Sequence, residues 1–285
     1  QQRQCFTFCA DDHRLSFFAK YTDDGNATRS MTQSPAQWRD QNGRFCRHAS
    51  NLGILNFEAM SKNKLEKFAE MEGYDHVIEP SLNFDAPEDF HLKGKRKQGF
   101  FGNDHPIILE LGCGKGEYTI GLSDIFPEHN FIGVDIKGAR IWRGAKTVHE
   151  RNFENVAFIR TRVDFIHYFF GKQEVEAIWL TFSDPQPKKP KKRLSSRLFI
   201  ERYLQFLKPG GHIHIKTDSD LFIESTLEEI ESHGYEVIEK SFNVYEDLVN
   251  RRKDWLYDAM QIKTFYEKMW LKEGRTIKYL EFVPQ

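Results

Sequence analysis

From residue 107 to residue 283, short apolar runs alternate with longer stretches whose apolar positions recur at helical spacing. Ile107, Ile108, Leu109 and Leu111 form a compact run of the kind a strand buried on both faces needs. Further strands are expected over Asn130 to Asp135, Val156 to Arg160, Val175 to Phe182 and His212 to Lys216. Tyr235 to Phe242 and Ile277 to Val283 complete the set, the last one antiparallel. Helices are expected over 117–126, stopped by Pro127, over 139–150 and over 193–206, with a tight turn at Leu207 to Gly211. A charged, mostly helical stretch covers 247–270. Strand and helix thus alternate, which predicts the α/β class: a doubly wound, mostly parallel seven-stranded sheet that binds its ligand outside the carboxyl ends of its strands.

Upstream the pattern weakens. Met60 to Phe90 holds one helix, with Leu65, Phe68 and Ala69 on one face, and then a proline-punctuated extended segment. Residues 1–59 show no sustained period and scatter polar residues among isolated aromatics, and Met60-Ser-Lys-Asn-Lys reads as a natural start. They are expected to be an upstream translated extension or a poorly ordered tail, leaving 60–285 as the functional domain. Cys5, Cys9 and His13 lack a fourth partner at finger spacing, so no metal site is expected there.

Composition narrows the function mainly by exclusion. The chain has 285 residues, a formal net charge of -1 and a pI near 6.9, so it lacks the global basic character of many nucleic-acid binders. RNA binding would have to rest on local patches, and two stand out: Lys93-Gly-Lys-Arg-Lys97 and Lys188-Lys-Pro-Lys-Lys-Arg193. The first reads equally as a solvated loop or as a phosphate-contacting arm. No run of about eighteen apolar residues exists, so no membrane span is expected. Of four cysteines only Cys113 falls in the domain, which points to a reducing, cytoplasmic compartment.

The chemistry is concentrated after the first apolar run. Gly112, Gly114 and Gly116 follow it in a G-x-G-x-G turn that allows left-handed backbone and close approach of a ligand to a helix N-terminus. Glu110, two residues before the first glycine, would repel a pyrophosphate, which together with the spacing disfavours a nicotinamide dehydrogenase. A cofactor with a cationic amino-acid end would be welcome there, and S-adenosylmethionine carries both an ammonium and a sulfonium. Asp135, about twenty residues beyond the turn and at a strand tip, suits the hydroxyls of a ribose and equally suits a helix N-cap. Asp164 lies where an adenine edge would be and has the same alternative. Asp184 stands at the next strand tip, ahead of a loop in which prolines stiffen a row of lysines. Asp218 reads as either a cap or a substrate contact.

Four motifs in order, Leu109-Glu-Leu-Gly-Cys-Gly-Lys-Gly116, Gly133-Val-Asp-Ile-Lys-Gly138, Phe182-Ser-Asp-Pro-Gln-Pro-Lys188 and Lys216-Thr-Asp218, resemble those of the bacterial tRNA (guanine-N7)-methyltransferases over roughly residues 60–285. The resemblance implies a class I methyltransferase (Rossmann-like) fold and methyl transfer from S-adenosylmethionine to N7 of a guanine in the variable loop of tRNA. It implies cofactor contacts at Glu110, Gly112, Gly114, Asp135, Asp164 and Asp184, with Asp184 also catalytic. Substrate contacts are implied at Lys188, Asp218, Thr264 and Glu267, with no metal, no obligatory protein partner and a monomer or homodimer. Thr264-Phe-Tyr-Glu267 departs from the family's Thr-Lys-Phe-Glu, and Gln186 replaces a frequent tryptophan. Thr-x-x-Glu is also a capping box. A small-molecule methyltransferase on the same fold, or an RNA-binding module without activity, are the other readings the residues allow.

Overall fold

The computed structural model describes residues 63–80 and 88–284. The expectations for 1–59 lie outside these residues. Residues 63–72 form helix α1. The strands are β1 (Val77–Ile78), β2 (Ile107–Leu111), β3 (Asn130–Asp135), β4 (Val156–Arg160), β5 (Val175–Thr181), β6 (Leu207–Thr217), β7 (Glu236–Ser241) and β8 (Lys278–Val283). Between them lie α2 (Glu117–Ile125), α3 (Gly138–Arg151), α4 (Arg197–Tyr203) and α5 (Asp220–His233), with α6 (Val244–Asp247), α7 (Trp255–Gln261) and α8 (Phe265–Lys272) before β8.

One sheet results, in the order β1-β4-β3-β2-β5-β6-β8-β7. The strands from β1 through β6 pair in parallel, and β8 runs antiparallel to both its neighbours. After β1 at the edge, the chain enters the middle of the sheet at β2, winds outward through β3 and β4, then returns to lay β5 on the other side of β2. Strand order therefore reverses between β2 and β5. At such a switch point the connections leave in opposite directions, and a crevice opens at the carboxyl ends.

Alternation along each strand feeds two cores. Ile107, Leu109, Leu111, Ile132, Val134, Ile178 and Leu180 face one apolar layer, whereas Ile108, Phe131, Phe158, Ala177 and Trp179 face the other. Among the described residues the sheet has eight strands, not seven. The extra one, β1, is two residues long, too short to carry a period, and is held by parallel pairing of Val77 and Ile78 to Phe158 and Ile159.

Three other expectations are corrected. The buried side of α1 is formed by Phe68 and Met71, while Leu65 is 67% exposed and Ala69 is also exposed, because Glu70 bonds Trp142 and Lys146 and turns the helix toward α3. The helix expected from Arg193 starts at Arg197, since Pro190–Lys192 makes its own single turn and Arg193 is extended. The 247–270 stretch breaks into separate helices, with Asp254 accepting from Tyr257 N and Thr264 from Glu267 N at the starts of α7 and α8. Among the described residues no helix is long and apolar enough to cross a membrane.

Candidate active site

The glycine turn joins β2 to α2. Gly112, Gly114 and Gly116 have φ of 81°, 58° and 69°, values that only glycine adopts without strain. The amides of Gly112 and Cys113 both donate to Val134 O, at 2.8 and 3.0 Å, which ties the turn to the end of β3. Gly114 N donates to Asp135 Oδ2 at 2.9 Å, and Lys137 N to Asp135 Oδ1 at 2.8 Å. Asp135 is thus a brace between the turn and the start of α3. It is not the N-cap, which is Lys137. Several amides expected to face a ligand are therefore engaged within the protein.

Glu110 lies beneath the turn and is 3% exposed. Its Oε2 accepts from Thr119 N at 2.8 Å and from Thr119 Oγ1, and its Oε1 from Thr181 Oγ1. It caps the first turn of α2 from below, where the helix dipole favours negative charge. Burial nevertheless dominates and pushes its pKa up to about 7, with the Thr119 and Thr181 hydrogen bonds acting the other way. Thr119 and Thr181 are positioning residues that the pattern alone did not reveal. The signal available was that each is a hydroxyl on an element flanking the turn.

The parallel strands bring the other carboxylates to the same edge: Asp135 ends β3, Asp164 follows β4, Asp184 follows β5 and Asp218 follows β6. Asp184 is exposed, and its carboxylate accepts from Gln186 N at 2.9 Å and Gln186 Nε2 at 2.8 Å. Gln186, with φ 45°, therefore orients Asp184, a role that substitution of the usual tryptophan had obscured. The lysine loop then folds back across the crevice. Lys192 Nζ reaches Asp164 Oδ1 at 3.0 Å, and Leu194 lies over Gly112, 3.9 Å from where a Cβ would stand. Asp164 also pairs with Arg162 at 3.2 Å and Arg202 at 3.7 Å. Burial alone would raise its pKa, but Lys192 and Arg162 outweigh this and hold it below the usual carboxylate value. Asp164 makes no cap bond; the residue at the cap position is Arg162.

The expected substrate residues divide. Lys188 is exposed in the loop. Asp218 pairs with Arg275 at 2.9 Å and does not cap α5, because Ser219 holds that position and accepts from Phe222 N. Thr264 is the N-cap of α8, but the capping box is only half formed. Glu267 does not reach back; it is fully buried, 2.9 Å from Lys216 Nζ, and accepts from Tyr245 OH at 2.6 Å. In this arrangement Glu267 offers no surface to a substrate, a correction that follows from its ion pair with a fully buried lysine. Lys216 also donates to Met260 O and Ile262 O, at 3.1 and 2.9 Å, so it fastens the α7–α8 connection to β6.

The Lys93 to Lys97 cluster is neither of the expected things at its centre. Arg96 is fully buried, donates to Phe169 O and lies 4.3 Å from the Phe170 ring. Burial lowers its pKa to about 10. Glu174, which accepts from Gly94 N and Arg96 N, immediately precedes β5, so the cluster is anchored at the amino ends of the strands, opposite the crevice.

This sheet order, with its reversal beside a glycine turn and carboxylates at successive strand ends, is the class I methyltransferase fold. The family model described as "Putative methyltransferase" matches residues 104–280. A tRNA (guanine-N(7)-)-methyltransferase of Bacteroides thetaiotaomicron is 52% identical over 79% of this chain and 88% of its own length. Like-named proteins of Christiangramia forsetii and Clostridium acetobutylicum are 46% and 33% identical, over 78% and 68% of this chain and 98% and 87% of theirs. The chain belongs to the tRNA (guanine-N7)-methyltransferase family.

Proposed function

We propose that this protein transfers a methyl group from S-adenosylmethionine to N7 of a guanine in the variable loop of tRNA, with residues 60–285 as the cytoplasmic catalytic unit. The observation that carries this reading is a buried carboxylate, Glu110, held among the described residues by hydroxyl and amide donors alone beneath an open turn, on the same sheet edge as the exposed Asp184. Among the described residues a Cβ at Gly114 would meet nothing within 4 Å, so they leave space above the turn. Among the described residues no cation pairs with Glu110, and a cationic ligand would compensate it. The residues present therefore fit S-adenosylmethionine.

Glu110, Gly112, Gly114 and Asp135 would hold the cofactor. Asp164 would join them by exchanging Lys192 or Arg162 for the adenine amine. When bound, S-adenosylmethionine supplies a methyl group made electrophilic by its sulfonium. N7 of guanine has an in-plane lone pair, so no proton has to leave before attack and no strong base is needed. The protein's task is alignment and stabilisation of the positive charge that develops on the purine. Asp184, oriented by Gln186, is suited to accept from the guanine N1–H and amine edge while offsetting that charge. A-form helices hide their major groove, which favours a guanine in a loop. Exposed Lys188, with Lys189 and Lys191, would contact phosphates, and Asp218 and Thr264 would lie at the substrate side.

Incubating purified tRNA with the protein and cofactor and mapping modified nucleosides by mass spectrometry tests the reaction: one new N7-methylguanosine is expected, and methyl transfer to metabolites without transfer to tRNA would overturn it. Asp184→Ala should slow single-turnover methylation by about 10²-fold or more, in the range seen when a group that stabilises the transition state is removed, with cofactor affinity little changed. Equal single-turnover rates for variant and parent would remove Asp184 from the mechanism.

A further inference from the structure

Beside the crevice, α1, α2, α3, α8 and the segment leading into it line a groove of about 620 Å³. Six cations line it, Lys67, Lys115, Arg140, Arg143, Lys263 and Lys268, against two carboxylates, Glu117 and Asp124. Both carboxylates are engaged elsewhere. Asp124 is held bidentately by Arg151 at 2.6 and 2.9 Å, and Glu117 accepts from Phe265 N at 2.9 Å. Among the described residues none of the six cations has a carboxylate at ion-pair distance. Three of them lie instead over aromatic rings: Lys67 over Trp142 at 4.5 Å, Lys115 over Phe265 at 4.3 Å and Lys263 over Tyr245 at 4.6 Å. A ring face orients an ammonium without neutralising it, so the charge stays available to an anion.

This is not the background of the chain. The net charge is -1, and many surface cations elsewhere are paired, as in Arg197–Glu201, Lys146–Glu70 and Arg251–Asp247. Arg140 and Arg143 are three residues apart and share one face of α3. Next to the lining residues Lys115 and Glu117, Phe265 is 52% exposed, a surface on which a base can stack. Lys115 belongs to the glycine turn itself, so the groove begins where the crevice does. The Lys188 to Lys192 loop contributes nothing to its lining.

We infer that this groove is a second RNA-binding track, which takes the phosphate backbone of the strand whose base enters the crevice. The inference rests on the proposed RNA substrate and adds the path by which that RNA is held. A concave channel of separated cations suits a phosphodiester chain, whereas a membrane-binding face would present a broad apolar surface.

The test uses the full chain with Arg140→Ser and Arg143→Ser together, and tRNA binding read by fluorescence anisotropy between about 50 and 200 mM salt. Affinity should fall about tenfold, and the slope of log affinity against log salt should drop by about 2, one for each phosphate that is no longer neutralised. The KM for tRNA should rise in step, while kcat and cofactor affinity stay within about twofold of the parent. Arg197→Ser, a change at a paired surface arginine, should leave affinity and slope unchanged. Unchanged affinity and slope in the double variant would overturn the inference. So would loss of binding to phosphatidylglycerol-containing vesicles with tRNA binding retained. Because anisotropy needs no catalysis, a parent that binds tRNA through Arg140 and Arg143 yet leaves N7 unmethylated would sustain the groove and refute the reaction.

Discussion

Replacing Glu110 with glutamine should make the protein more stable at alkaline pH while weakening its cofactor site. In the folded chain burial holds the Glu110 proton up to about pH 7, against an ordinary glutamate value of 4.5. The folded state therefore binds more protons through that interval, and stability falls as pH rises from 4.5 to 7 and is flat above it. At about 1.4 kcal/mol per unit, the cost of ionising Glu110 in place is on the order of 3 kcal/mol. Glutamine has nearly the same shape, can still accept from Thr119 N and can donate to Thr181 Oγ1, but it never ionises. Urea unfolding of variant and parent without cofactor should give a stability difference that grows by about 2.5 kcal/mol in the variant's favour between about pH 5 and pH 8. Parallel pH profiles would refute the reasoning. The companion measurement is calorimetry of S-adenosylmethionine binding near pH 6 in buffers of different ionisation enthalpy. A cation above Glu110 favours its ionised form, so binding by the parent should release up to about one proton and binding by the variant none.

Other perturbations separate packing from chemistry. Lys216→Met leaves Glu267 charged and buried, and should lower stability by about 3–5 kcal/mol; adding Glu267→Leu should recover much of it, and a double variant no more stable than the single would show that the stranded charge is not the cause. Gly144→Ala would set a Cβ 2.6 Å from Lys115 O and 2.7 Å from the Phe158 ring, so α3 or the glycine turn must shift. Cofactor affinity and melting temperature should both fall, and a variant indistinguishable from the parent in both would show that the clash is readily relieved. Arg96→Ala removes a fully buried side chain and should cost about 3 kcal/mol in unfolding experiments without altering the salt slope of tRNA binding, whereas the opposite pattern would return Arg96 to the RNA surface.

Much of this protein could be read along the chain because the physics was local. Short, nearly continuous apolar runs at 107–111, 130–135, 156–160 and 175–181, buried on both faces, specify strands, and the three glycines specify a turn whatever surrounds them. Parallel strands then commit every residue at a strand's carboxyl end to one edge, so Asp135, Asp164, Asp184 and Asp218 were predictable as neighbours. Which partner each side chain takes was not predictable, because those partners are distant in sequence. Glu110 finds Thr181, Asp164 finds Lys192, Asp218 finds Arg275, and Glu267 finds Lys216, far back along the chain on β6. A motif such as Thr-x-x-Glu states only what a helix start permits. The desolvation of Lys216, which made an ion pair with Glu267 the way to bury that charge, decided its actual role. Likewise Arg96 looks like its lysine neighbours in the sequence, and only the enclosing Phe90, Phe169 and Phe170 turn it into part of the core. Charge type is written locally; its solvation is a property of the assembled molecule.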